Sequence, residues 1–516
     1  MGDRPMGTSR WNPLYVVKRS ARRFRRRPVS TQLRTVALVV AVTAGAVLYV
    51  AIAPAAPPPA ISAAAAQFGS SGTPSAVNQA STSTRGIVGN TVNVVFPVVA
   101  LNSLAGKEGF AQDVEFGEQT KAIHFFVNQI NKAGGIHGKK INAIIANFDP
   151  TNEADMRALC KDWTEGTPAA FAVIDGAGTW TGDNQLCITQ EGHTPLISQW
   201  TTVTNWTQKG APYLWWTGPD DAAVLQATVN WGLSSGLLGG NRKVGVIAGD
   251  RASDQAALNQ YLLPDLERAG VTPVVETIAA DPAETATTNT DAPLVVQKLK
   301  SAGVNSVIPL IPFNAFFPVV NAETQDNYFP KLLLSDYEES ITAALGLIPV
   351  PDEQALDGQQ GVTTETLGGF DDNRPESQGG YDPGVRSCYN DWHKAYPNRV
   401  GTSQSAFIEE QGPIQAWCTS IRLFATAARN AGTILNRRTF VQAMSKITDF
   451  PGGYTPTLSY GPNKYYGPTQ YQVVELHNNV PPTSACKLKT NQQPQGTCWV
   501  VIHPFQPLPI VTPAPG

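Results

Sequence analysis

Phe126 to Asp149 reads FVNQINKAGGIHGKKINAIIANFD, and this stretch decides the fold class. Ile123, just upstream, falls with Phe126, Val127 and Ile130 at i, i+3, i+4 and i+7, so one helical face is apolar. Gly134-Gly135 supplies the positive φ that closes a helix. Ile141 to Phe148 then forms an apolar run of strand length, ended by Asp149-Pro150. A helix, a glycine stop, a basic turn and a buried strand make one step of a β-α-β ladder.

The same grammar extends in both directions. Val92 to Pro97 reads as a first strand. After Thr151-Asn152, with Asn152 as cap, a helix leads to a strand at Phe171 to Asp175. A helix toward Glu191 and a strand at Pro195 to Ser198 follow. Beyond Trp215-Trp216-Thr217-Gly218 the pattern restarts. Helices are expected at 220–235, 253–269, 291–302 and 315–322, and strands at 243–248, 271–278, 306–311 and 331–334. Alternating β and α with short connections predicts two tandem units, each a parallel sheet of about four strands covered on both faces. Gly361 to Asn390 is rich in Gly, Asp and Pro and reads as loop. Helices at 411–431 and 438–446 precede an aromatic, β-rich end from Tyr454.

The chain has 516 residues, 42% of them apolar, enough for two or more cores. Its formal charge of −3 hides an asymmetry. Residues 1–35 carry ten Lys or Arg and one acid, whereas the remainder carries 28 basic and 40 acidic residues, a net of −12. An acidic body argues against a nucleic-acid surface there, and the arginine cluster Arg22 to Arg27 is better explained by the apolar run after it. That run, Val36 to Ala53, is 18 uncharged residues, long enough to cross roughly 30 Å of hydrocarbon. A basic stretch before it places the N-terminus in the cytoplasm and the body outside. A retained signal anchor is the expectation, because the run exceeds a usual signal-peptide core. Ala53-Pro54-Ala55 keeps a cleaved signal as the alternative. Arg22-Arg23 sits in a poor context for twin-arginine export, and no Cys lies near the run to take a lipid. Residues 54–90 read as a disordered Pro/Ala/Ser linker, with no charge from 54 to 84.

Six cysteines suit an oxidising compartment. They allow fifteen pairings and fall in three local pairs: Cys160 with Cys187, Cys388 with Cys418, Cys486 with Cys498. Nearest-neighbour disulfides are the expectation, and free buried thiols the alternative. No C-x-x-C or H-E-x-x-H is present and the six histidines are scattered, so no metal or other cofactor is expected. His124 reads as structural and His137 as a solvated turn residue.

Gly176-Ala177-Gly178 with Gly182 follows a strand and precedes a helix, which raises dinucleotide binding. The next strand ends in Ser198-Gln199-Trp200 and lacks the acid that would hold a ribose. A tight turn whose amides face a ligand at a helix N-terminus fits better. No nucleophile elbow or P-loop occurs. Two distant carboxylates suffice for glycoside chemistry, so a cleft hydrolase stands as a rival to a binding protein. Trp180 and Trp200 each follow a strand end, as core rings or as an aromatic wall for a ligand.

INKAGGIHGKKI (130–141), PLISQWTTVTNW (195–206), KVGVIAGD (243–250), SVIPLIPFNAFF (306–317), KLLLSD (331–336) and GPNKYYGPTQYQVVEL (461–476) together resemble the type I extracytoplasmic solute-binding proteins of the branched-chain amino-acid (Leu/Ile/Val) class. The resemblance runs from about Val92 to Ile502. It implies two Rossmann-like α/β lobes, 91–217 plus 367–455 and 218–366 plus 456–503, joined by a three-strand hinge, with 504–516 as a tail. It implies capture of a small polar molecule, an amino acid or related compound, between the lobes for an ABC-type importer, without catalysis. A membrane-anchored sensor without a transporter is the alternative. Cys160 and Cys187 sit where some relatives carry a disulfide. By position, Trp180, Thr181, Ser198, Trp200 and Thr202 form the lobe-one face. Asp250, Ser253, Phe313, Asn314, Asp336 and Tyr337 form the lobe-two face, where an acid would meet a ligand ammonium. Gly178-Thr179-Trp180 replaces the serine-rich strand end of amino-acid binders, which leaves the ligand class open.

Overall fold

The computed structural model describes residues 76–99, 117–149, 152–176, 180, 183–199, 204–337, 341, 353–366, 383–397, 412–453, 455–480 and 496–511. The expected membrane span at 36–53 and most of the expected linker lie outside them. Among the described residues no helix is long and apolar enough to cross a membrane.

The deciding stretch folds as its pattern dictates. The helix Gly117–Lys132 buries Ile123, Phe126, Val127 and Ile130 and closes at Gly134 and Gly135, both at positive φ. A Cβ on Gly135 would lie 2.0 Å from the Lys139 carbonyl oxygen, so only glycine fits. Asn131 then straps helix to strand: its Nδ2 donates to Ile141 O at 2.9 Å and its Oδ1 accepts from Ile141 N at 2.8 Å. His124, read as structural, is exposed on this helix beside its buried stripe. His137, also exposed, lies 2.7 Å by Nε2 from the Arg429 carbonyl.

Two sheets organise the chain. In the first, β1 (Ile87–Val88) is antiparallel to β2 (Thr91–Val99). The others, β3 (Lys140–Phe148), β4 (Ala172–Asp175), β5 (Leu196–Ser198) and β6 (Leu214–Trp216), run parallel in the order β3-β2-β4-β5-β6. The second sheet holds β7 (Val244–Gly249), β8 (Val274–Ile278), β9 (Ser306–Leu310), β10 (Lys331–Ser335) and β11 (Gln360–Thr363), parallel in the order β8-β7-β9-β10-β11. The short pair β12 (Phe450–Pro451) and β13 (Thr457–Leu458) stands apart. Antiparallel β14 (Gln470–Val480) and β15 (Gly496–Pro507) extend the second sheet beyond β11.

Among the described residues each sheet thus has five parallel strands, where about four were expected. The additional ones are short. In β6, Trp215 and Trp216 point to opposite faces and both are fully buried, in two different cores. The second addition, β11, falls in the stretch expected to be loop, as does the helix Pro383–Ala395, which buries Cys388 and Trp392. Glycine and proline density hid both: Gly361 sits where a Cβ would press on Ile341 at 2.7 Å, so it is a packing residue of a strand.

Sheet one is covered on one face by the helices Gly117–Lys132, Gly412–Asn430 and Arg437–Met444, with Phe96, Trp417 and Phe424 between them. On its other face Trp180 and Trp216 pack with Trp163 of the helix Glu153–Glu165, which Asn152 caps through Asp155 N at 3.2 Å. The expected linker 54–90 is corrected at its end. Residues 76–90 are ordered, with a short helix at Ala76–Gln79. Val77 and Ala80 are buried, and hydrogen bonds with Tyr213, Arg437, Arg438 and Gln442 hold the segment to lobe one.

Candidate functional site

Among the described residues three crossings join the sheets. The first leaves β6 after Trp216 and enters the helix Asp221–Ser234; the second leaves β11 after Thr363; the third runs from β13 to β14. β6 and β11 both end at their crossings, and β14 begins beside the end of β11, with Thr363 opposite Gln472. The crossings therefore flank the carboxyl ends of the parallel strands in both sheets, where open α/β sheets hold ligands.

On the lobe-one edge, Asp175 ends β4 and is fully buried. Its Oδ2 accepts from Trp180 N at 2.9 Å and from Ser198 Oγ at 3.1 Å. Thr217 N in turn donates to Ser198 O at 2.8 Å. Gly176, the first residue after β4, lies against the Trp417 ring, whose Nε1 donates to Gln119 Oε1 at 3.2 Å. Trp180 is wholly buried, with ring centroids 4.5 Å from Trp163 and 5.0 Å from Phe148. Its backbone faces the strand end while its ring belongs to the core. Thr181, Trp200 and Thr202 lie outside the described residues.

On the lobe-two edge, Asp250 follows β7, is exposed, and accepts from Ala280 N at 3.0 Å. Next to it stands a cluster that spacing alone does not reveal. Arg251 grips the buried Asp254 with Nε at 2.8 Å and Nη2 at 2.7 Å, and Tyr337 Oη donates to the same carboxylate at 2.5 Å. Arg251 and Asp254 are three apart and legible as a pair, whereas Tyr337 lies 83 residues from Asp254. Ser253, half-buried, opens the same helix. Asn314 is buried at the start of the helix Phe313–Gln325; its Nδ2 donates to Ala280 O at 3.3 Å and its Oδ1 has no partner. The Phe313 side chain lies outside the described residues.

At the ends of β10 and β11, half-buried Asp336 accepts from Thr364 N at 2.7 Å and Thr364 Oγ1 at 2.8 Å. Burial raises its pKa against the hydrogen bonds of Thr363 and Thr364, which lower it. Burial, and then the charge of Asp336, push Glu365 well above the usual carboxylate range. A cation beside this pair would favour the charged forms.

The structure brings Trp180 and Ser198 together through Asp175, and Tyr337 to Asp254 beside Ser253. Two of the three expected disulfides are present, Cys160–Cys187 and Cys388–Cys418. Cys486 and the Cys498 side chain lie outside the described residues. Sequence reading missed Asp175, Arg251, Asp254 and Glu365 as members of these edges.

Residues 109–479 match a family model described as "Periplasmic binding protein". No curated protein matches the sequence. Solved structures that resemble it include a fatty acid ABC transporter substrate-binding protein from Thermomonospora curvata, with 14% identity, TM-score 0.56, 82% of this chain and 93% of that one covered. A solute-binding protein of an ABC transporter from R. palustris, in complex with 4-hydroxybenzoate, shows 12% identity, TM-score 0.58, and coverage of 81% and 98%. A branched chain amino acid ABC transporter protein from Thermus thermophilus with bound valine shows 11% identity, TM-score 0.57, and coverage of 81% and 96%. At these identities the likeness is one of fold.

Proposed function

The chain belongs to the periplasmic binding protein family, and from that premise we propose that it captures a small polar molecule between its lobes and delivers it to an ABC-type importer, without catalysis. The observation that carries this reading is the placement of all three crossings at the carboxyl ends of both parallel sheets. Bending at the crossings closes one edge on the other, the hinge motion by which such proteins engulf a ligand.

Thr181, Ser198, Trp200 and Thr202 contribute from lobe one, and Asp250, Ser253, Phe313 and Asn314 from lobe two. Trp180 and Tyr337 act one step back, by holding Asp175 and Asp254. Asp336 with Glu365 supplies the acidic group for a ligand cation. The solved relatives include proteins with bound valine and 4-hydroxybenzoate, so an amino acid or a related carboxylic acid suits this chain. The basic residues 1–35 and the apolar run 36–53 hold the body at the outer face of the membrane, as a single-pass anchor.

The test is mass spectrometry of small molecules released by unfolding the purified full chain. A compound released unchanged, which rebinds and raises the melting temperature, supports capture. Release of nothing, or turnover of the compound by the intact protein, defeats the reading. Loss of ligand uptake on deletion of an ABC permease separates a transporter partner from a sensor role.

A further inference from the structure

The third crossing is a hairpin closed on its own lysine. Gly461 and Lys464 bond each other through their backbones, and Ser459 N donates to Gly467 O at 2.8 Å. The Lys464 side chain folds back into this loop. Its Nζ lies 2.5 Å from Ser459 O, 2.6 Å from Tyr466 O, 3.1 Å from Gly467 O and 3.2 Å from Pro468 O, and 4.1 Å from the Tyr466 ring centroid. Four carbonyls and a π face make a cage suited to a cation.

The first crossing carries a buried carboxylate. Asp220, buried, caps the helix Asp221–Ser234 and accepts from Thr204 Oγ1 at 2.7 Å, Ala222 N at 3.0 Å and Ala223 N at 3.3 Å. The two crossings are also stitched directly. Trp216 N donates to Tyr465 O at 2.8 Å, and Tyr460 Oη donates to Trp216 O at 2.9 Å.

We propose that Lys464 and Asp220 form a charge-gated clasp across the hinge, which keeps the third crossing in one curvature only while both groups are ionised. A neutral amine brings two N–H groups and no charge to four carbonyls, so the hairpin loosens when the ammonium deprotonates. A neutral Asp220 withdraws the anion that supports the ammonium. Burial presses on both: it lowers Lys464 to about 7 against the pull of Asp220, and raises Asp220 to about 6 against its hydrogen bonds and Lys464. The other titratable groups at the cage are the phenols of Tyr460, Tyr465 and Tyr466, which burial keeps protonated. A loosened hinge spreads the lobes over more arrangements, of which fewer can close, so the clasp tunes capture near neutral pH.

Hydrogen exchange of the ligand-free full chain, read by mass spectrometry over residues 455–470 and corrected for intrinsic rates, tests the clasp. Protection should be greatest at about pH 6.5 and fall at least about threefold at about pH 5 and about pH 9. Lys464→Arg, which cannot deprotonate, should keep its protection on the alkaline side. Asp220→Asn, which retains the helix cap, should show no acid-side fall. Wild-type protection that stays flat across this range, or an alkaline loss in Lys464→Arg equal to that of wild type, overturns the clasp. No ligand enters the measurement, so its failure leaves the capture reading untouched.

Discussion

Asp336 holds Thr364 twice, by backbone nitrogen at 2.7 Å and hydroxyl at 2.8 Å, through a single carboxylate oxygen. This ties the end of β10 to the entry of the second crossing, so the residue is both a site candidate and a fastener.

Asp336→Ala should cost about 1–3 kcal/mol, because it leaves the buried Thr364 N–H without its acceptor. Asp336→Asn keeps an acceptor oxygen and should cost less. Urea unfolding gives both numbers. The ligand-induced melting shift should shrink in Asp336→Ala; an unchanged shift would remove Asp336 from the site.

Glu323 is buried with both carboxylate oxygens unpartnered. Burial pushes it up to about 8, while in the unfolded chain it titrates at about 4.3. Between these limits the native state holds a proton that the unfolded state has lost. Stability should therefore fall as pH rises from about 4.3 to about 8. Glu323→Met should flatten that decline and gain more than about 1 kcal/mol at about pH 8, read from denaturant midpoints at several pH values. A Glu323→Met profile parallel to wild type would be the contrary result.

Cys160–Cys187 closes a loop with a sequence separation of 27. Replacing both cysteines by alanine should destabilise by about 3–4 kcal/mol, chiefly by freeing the unfolded chain. Thermal melts of the oxidised wild type and the double variant compare them directly. Equal melting temperatures would mean that packing around the helix Glu153–Glu165 alone fixes this region.

Gly176→Ala places a Cβ 2.6 Å from the Trp417 ring, which is fully buried and has no room to retreat. Overpacking of this kind costs about 1–3 kcal/mol. Because Gly176 begins the turn after β4, the variant should also weaken ligand capture more than its stability loss explains. Calorimetry at a temperature where both proteins are fully folded separates the two effects.

Much of the fold was legible because burial imposes period on sequence. Phe126, Val127 and Ile130 gave the first helix, Gly134-Gly135 its end, and Asn152 the next cap. The short elements were not. Trp215-Trp216 reads as an aromatic passage, since three residues cannot display alternation; only the sheet separates their faces. Gly361 argues for loop by propensity, yet the strand needs it to clear Ile341. Tyr337 and Asp254 meet across 83 residues, a separation no local pattern encodes. The Lys464 cage is built from backbone oxygens, which every sequence possesses.

Residues 76–86 are fastened to lobe one at the opposite edge of its sheet from the strand ends. Asn93 N bonds Gly86 O, Arg437 N bonds Ser83 O, and a Cβ on Gly86 would collide with Phe171. Pull or restraint on the chain ahead of residue 76 is thus delivered to lobe one. In the proposed closure that lobe is the handle, and lobe two the jaw that turns.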